Sequence, residues 1–167
     1  MAGQGSSQTP RKSLYTAEQR RRRDRSKWTL VQGILAPLQF AVFLISLFLV
    51  VRFLLTGDGE SAATYSITIE TFVLYVIMIT GSIWEKDVFG QYLFAEAFYW
   101  EDVVSMLVLA LHTAYLVCLL TGSLSVTGQM LLALAAYATY VINAAQFLFK
   151  LRAARLEAPH ALAEAAT

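Results

Sequence analysis

The sequence predicts an all-α, polytopic membrane protein: four transmembrane helices in an antiparallel bundle, with both termini on the cytoplasmic side. Three observations predict it. Of the 167 residues, 57% are hydrophobic and only 15% charged, where a soluble domain carries about a quarter charged residues. The charges are bunched, and the stretch from Val103 to Phe149 holds no Asp, Glu, Lys or Arg. Apolar runs of roughly the 20 residues that a helix needs to cross a bilayer recur four times, near 28–55, 65–84, 102–120 and 129–149.

Ahead of the first run, residues 1–26 form a mobile basic tail rich in Gly, Ser, Gln and Arg, without apolar periodicity. The transmembrane domain covers 27–152, and an Ala-rich C-terminal tail, broken by Pro159, covers 153–167. The first run carries Pro37 in its first third and is far longer than a signal-peptide core, so it is retained. Turn residues separate the first two runs (Thr56-Gly-Asp-Gly-Glu60) and the last two (Thr121-Gly-Ser-Leu-Ser-Val-Thr-Gly128). An acidic connector, 85–101, joins the middle two.

Orientation follows from Lys and Arg. The tail carries Arg11, Lys12, Arg20, Arg21, Arg22, Arg23, Arg25 and Lys27, and Lys150, Arg152 and Arg155 follow the last span. The first and third loops have no Lys or Arg, so they face away from the cytoplasm and the connector faces it. Beside a spanning helix such a basic run sets topology rather than binding nucleic acid. Cys118, the single cysteine, excludes a disulfide framework and a thiolate metal site. There is no phosphate loop, nucleophile elbow or His-Glu-x-x-His motif, and no protein metal site is expected.

Polar residues inside the runs are informative because hydrocarbon penalises them. At 1.5 Å per residue, Gln39, His112 and Tyr140 fall roughly 15–17 Å from the cytoplasmic end and Glu70 roughly 22 Å. Gln32, Gln39 and Ser46 share a face of the first span; Asp102, Ser105, Leu109 and His112 share one of the third; Tyr140, Asn143 and Phe147 share one of the fourth. These stripes either make ordinary interhelical hydrogen bonds or converge into a polar path from the cytoplasmic lip. A charge at mid-span costs at least about 2.5–3.5 kcal/mol, so Glu70 and His112 are expected to be paired or functional.

The connector with its two flanking residues, 84–102, holds five of the chain's twelve acids, Glu85, Asp87, Glu96, Glu101 and Asp102, among Trp84, Tyr92, Phe98, Tyr99 and Trp100. Carboxyls in an apolar setting have raised pKa values and can act as proton donors. The plainer alternatives are an interfacial aromatic belt and acids capping the third span.

Three stretches resemble one family. They are Trp28-Thr-Leu-Val-Gln-Gly-Ile-Leu-Ala-Pro-Leu-Gln-Phe40, Gly81-Ser-Ile-Trp-Glu-Lys-Asp-Val-Phe-Gly-Gln-Tyr-Leu-Phe-Ala95 and Phe98-Tyr-Trp-Glu-Asp-Val-Val-Ser-Met-Leu-Val-Leu-Ala-Leu-His-Thr-Ala-Tyr115. With Leu14-Tyr-Thr-Ala-Glu-Gln-Arg-Arg-Arg-Arg-Asp24 upstream, the resemblance covers roughly Leu14 to Arg155, and it is to the 2-vinyl (also numbered 3-vinyl) bacteriochlorophyllide hydratases. It implies a hydro-lyase of bacteriochlorophyll synthesis in a bacterial inner or intracytoplasmic photosynthetic membrane. Such an enzyme adds water to the C3 vinyl group of chlorophyllide a or a close relative, giving a 1-hydroxyethyl group. No cofactor is implied beyond water as co-substrate, and magnesium belongs to the pigment. Neighbouring pigment-synthesis enzymes are candidate partners.

That reaction needs a carboxylic acid to protonate the vinyl terminus and a base to take a proton from water. Glu85, Asp87, Glu101 and Asp102 are the catalytic candidates, with Glu85 or Glu101 as acid. Trp84, Phe98, Tyr99 and Trp100 are candidate stacking surfaces, and Lys86, Lys150 or Arg152 candidate partners for the propionate. His112 is a candidate axial ligand to the pigment magnesium or, with Glu70, a second acid/base pair; Gln39, Tyr140 and Asn143 complete the candidate substrate contacts. Two rival readings are a non-catalytic chlorin carrier or assembly factor, and a small proton-coupled exporter using Glu70.

Overall fold

The computed structural model describes residues 14–164, and the regular secondary structure among them is all α-helix. The order is α1 (Ala17–Arg25), α2 (Lys27–Thr56), α3 (Glu60–Phe89), α4 (Tyr99–Thr121) and α5 (Val126–Glu164). Four of these, α2 to α5, are long and apolar enough to cross a membrane.

Ser26 separates α1 from α2 and caps α2, accepting the Trp28 N–H at 3.3 Å. Gly57, at φ 79°, ends α2 in a left-handed turn that a side chain would disfavour. The helix tolerates Pro37 in its interior, and Pro37 is exposed, toward lipid in a bilayer. Gly90, at φ 88°, ends α3 in the same way.

Helix α2 packs along α3, and α4 along α5; α2 also meets α5, α3 meets α4, and α1 meets α3. The hydrogen bonds Gln32–Thr80, Gln39–Glu70 and Ser46–Ser66 step up one helix as they step down the other. The interior packs Phe43, Val50, Ile67, Leu74, Val108, Tyr115, Met130 and Tyr137. Ala133 and Ala136, both buried, let α5 come close to its neighbours. Large side chains such as Leu30, Ile34, Phe48, Phe72 and Leu120 point outward, as a lipid-facing surface requires.

Three sequence expectations meet a different structure. Residues 17–25, expected to be structureless, form α1, held by a capping box in which Thr16 and Gln19 satisfy each other's backbone N–H groups. The first part of that expected tail, 1–13, lies outside the described residues. Helix α3 continues past Trp84 to Phe89, so the first acids of the connector sit on helix, not loop. Helix α5 runs on through Pro159 to Glu164, where a break was expected.

Candidate active site

The connector is where the helices project beyond their apolar runs. Its core is aromatic: Trp84 sits edge-on to Phe89 and Phe98, Phe98 stacks on Phe147 of α5, and Tyr15 stacks on Phe89. Tyr15 thereby fastens the N-terminal segment over the connector. Trp84 also donates its indole N–H to Thr29 Oγ1 at 3.0 Å, and Thr29 donates to the Arg23 carbonyl at 2.7 Å, tying α1, α2 and α3 together.

Beside this cluster two carboxyls meet. Glu85, from the end of α3, and Asp102, from the first turn of α4, are 4% and 3% exposed and hydrogen-bonded to each other. Two carboxyls in that relation share a proton. The loop between α3 and α4 covers them with backbone donors: Phe94 N–H to Asp102 Oδ2 at 2.7 Å and Ala95 N–H to Glu85 Oε2 at 3.3 Å. Glu85 lies past the apolar run of α3, and burial together with the neighbouring Asp102 carboxyl pushes its pKa up to about 8.

The adjacent Glu101 has a different environment. Its carboxylate pairs with Lys150 of α5, whose ammonium also donates to the Ala97 carbonyl and lies over the Phe98 ring. The Glu101 carbonyl accepts from Ser105 Oγ and Asn143 Nδ2, each at 2.8 Å. Two clefts, of about 500 and 450 Å³, flank the connector; Leu14 borders both, Glu101, Gln146 and Lys150 line the first, and Gln91, Ala95 and Glu96 line the second.

Deeper in the bundle a second polar group is sealed off. His112 Nε2 lies 2.8 Å from Glu70 Oε2, and Gln39 donates to Glu70 Oε1 at 2.8 Å. His112 Nδ1 is 2.8 Å from the Val108 carbonyl; a carbonyl only accepts, so Nδ1 carries the hydrogen. All three side chains are at most 1% exposed. Nearby, Ser46 bonds Tyr137 at 2.6 Å and Ser66 at 2.8 Å, and buried Tyr140 packs on Phe43.

Of the sequence candidates, the structure brings together Glu85 and Asp102, with Glu101 beside them on Lys150. It leaves Asp87 exposed and outside this group. Trp84 and Phe98 are packed inside the aromatic cluster, whereas Tyr99 and Trp100 are exposed and touch each other. Lys86 is turned back onto the Gly90 carbonyl and over Tyr92, and Arg152 is exposed. Asn143 braces Glu101 instead of lining an open path, and His112 presents no free ring nitrogen to a ligand. Glu70 and Gln39 are spent on that same buried group. Sequence reasoning missed Phe94, whose backbone holds Asp102, and Tyr15 as a clasp; the hydrophobic pair Leu14-Tyr15 just ahead of the capping box that Thr16 opens was the available signal for the latter.

No solved structure matches the chain. Proteins named 2-vinyl bacteriochlorophyllide hydratase from Rhodobacter capsulatus and Cereibacter sphaeroides are each 68% identical to it over 148 residues, 89% of this chain and 86% and 92% of theirs. A family profile described as 2-vinyl bacteriochlorophyllide hydratase matches residues 15–153. The chain therefore belongs to the 2-vinyl bacteriochlorophyllide hydratase family.

Proposed function

We propose that this protein is a membrane hydro-lyase that adds water to the C3 vinyl group of a chlorophyllide or bacteriochlorophyllide, giving the 1-hydroxyethyl pigment of bacteriochlorophyll biosynthesis. Family membership supports the reaction; the hydrogen-bonded Glu85–Asp102 pair is the observation that locates it. The bundle is antiparallel with both termini in the cytoplasm, in a bacterial inner or photosynthetic membrane, which puts the pair at the lip where water meets a lipid-dissolved pigment. No cofactor takes part.

One carboxyl of the pair protonates the terminal vinyl carbon, and the cation forms on the carbon attached to the conjugated ring. Water bonds to that carbon as the second carboxyl removes its proton. The C=C π bond is replaced by one C–H and one C–O bond, so the elements of one water are added. The proton taken from water returns through the hydrogen bond between the two carboxyls, which resets the pair. Buried carboxylate charge nearby stabilises the cation. Exposed Phe94, Tyr99 and Trp100 offer the flat pigment a surface beside the acids, and Arg152 offers its propionate a cation. Glu101, neutralised by Lys150, holds the start of α4 in place.

The test is Glu85→Gln and Asp102→Asn in membranes given chlorophyllide a. Wild type yields a product one water heavier with a blue-shifted red band, and each variant loses about 10²–10⁴-fold at normal protein level. Near-wild-type turnover in both variants refutes this site. A carrier or an exporter would bind pigment without the mass gain.

A further inference from the structure

Phe94 is the one non-glycine residue at positive φ among the described residues, at 60°. Such a conformation is unfavourable for a bulky side chain and persists where its surroundings enforce it. Here its consequence is visible: it turns the Phe94 N–H onto Asp102 Oδ2 at 2.7 Å, while the next N–H, from Ala95, reaches Glu85 Oε2 only at 3.3 Å. The two carboxyls of the pair are therefore unequal. The shorter bond stabilises charge on Asp102 more than its counterpart does on Glu85. Helix direction adds to the bias, since Asp102 lies in the first turn of α4 and Glu85 near the end of α3.

We propose that Phe94 is a positioning residue: its left-handed backbone aims an N–H at Asp102, which makes Asp102 the base and Glu85 the acid before substrate arrives. This rests on the hydratase reading above. The charged groups facing the pair are accounted for. Glu101 is paired with Lys150 from α5, and Arg23 of α1 lies over Tyr15. On α3 itself Lys86 bonds the Gly90 carbonyl and Asp87 is exposed. The single proton of the pair therefore sits on Glu85.

The assignment is tested in D₂O with chlorophyllide a. In Asp102→Asn, Glu85 still delivers a deuteron to the vinyl terminus and takes a proton back, so deuterium enters the vinyl CH₂ without water addition. Glu85→Gln does neither. The reverse pattern, or equal exchange by both variants, overturns the assignment. Phe94 itself is read through the pH dependence of kcat/KM, which reports the free enzyme. Phe94→Gly accepts positive φ and keeps the low-pH limb of wild type, which the base Asp102 sets, whatever happens to KM. Phe94→Ile does not accept it, weakens the N–H bond to the Asp102 carboxylate and moves that limb upward by roughly one pH unit. An unmoved limb in Phe94→Ile, at normal protein level, refutes the positioning role. Wild-type protein that adds no water refutes instead the hydratase reading, a distinguishable failure.

Discussion

Glu85 and Glu101 show how little a residue type says about its chemistry. Both follow a tryptophan and both are buried, yet one shares a proton with Asp102 and the other is neutralised by Lys150. Only the first is suited to donate. Burial and the Asp102 carboxyl raise Glu85 from its ordinary 4.5 to about 8, and two pH dependences follow. Activity that needs protonated Glu85 is retained through neutral pH and falls above about 8, in a kcat/KM profile with chlorophyllide a. Stability runs the other way from a salt-bridged acid. The folded protein holds a proton that the unfolded chain has released, so this group's contribution declines as pH rises from about 4.5 to about 8. Thermal unfolding in detergent checks the sign.

At the scale of elements, the site depends on where helices stop. Helix α3 overruns its apolar segment to Phe89 before Gly90 turns the chain, and α4 starts again at Tyr99. This brings Glu85 and Asp102 back to one point under a short loop. The segment leading into α1 then clasps the aromatic cluster through Tyr15, which is 4% exposed against Phe89 and Phe98. Tyr15→Ala is expected to cost about 3 kcal/mol, the low end for deleting a large buried ring. It should also speed limited proteolysis within 17–26 relative to the loops at 57–59 and 122–125. Unchanged melting and cleavage would mean that α1 is not fastened there.

At the scale of the whole molecule, the Gln39–Glu70–His112 group lies buried away from the connector and ties α2, α3 and α4 together. Glu70→Leu strands His112 and is expected to destabilise by about 3–5 kcal/mol, with part regained in Glu70→Leu/His112→Leu. Both should retain turnover per folded molecule, measured beside Tm; loss of turnover in stable double variant would bring this group into the mechanism. Topology is checked by single cysteines at 58 and 87 in a Cys118→Ala background. An impermeant thiol reagent applied to the periplasmic side should label position 58 and leave position 87 unlabelled.

The amino-acid sequence by itself determined the class of protein, the four apolar helices, the family resemblance and the stretch that holds the acids. Each of these is written in local composition, because hydrocarbon selects apolar residues over about 20 consecutive positions whatever their partners. Tertiary structure alone decided which acids meet. The reach of Lys150 from α5 to Glu101, the bond between Glu85 and Asp102 and the backbone angle of Phe94 all join residues distant in the chain or depend on loop closure. A carboxyl's proton affinity is set by what surrounds it in space, and single-chain spacing does not carry that information.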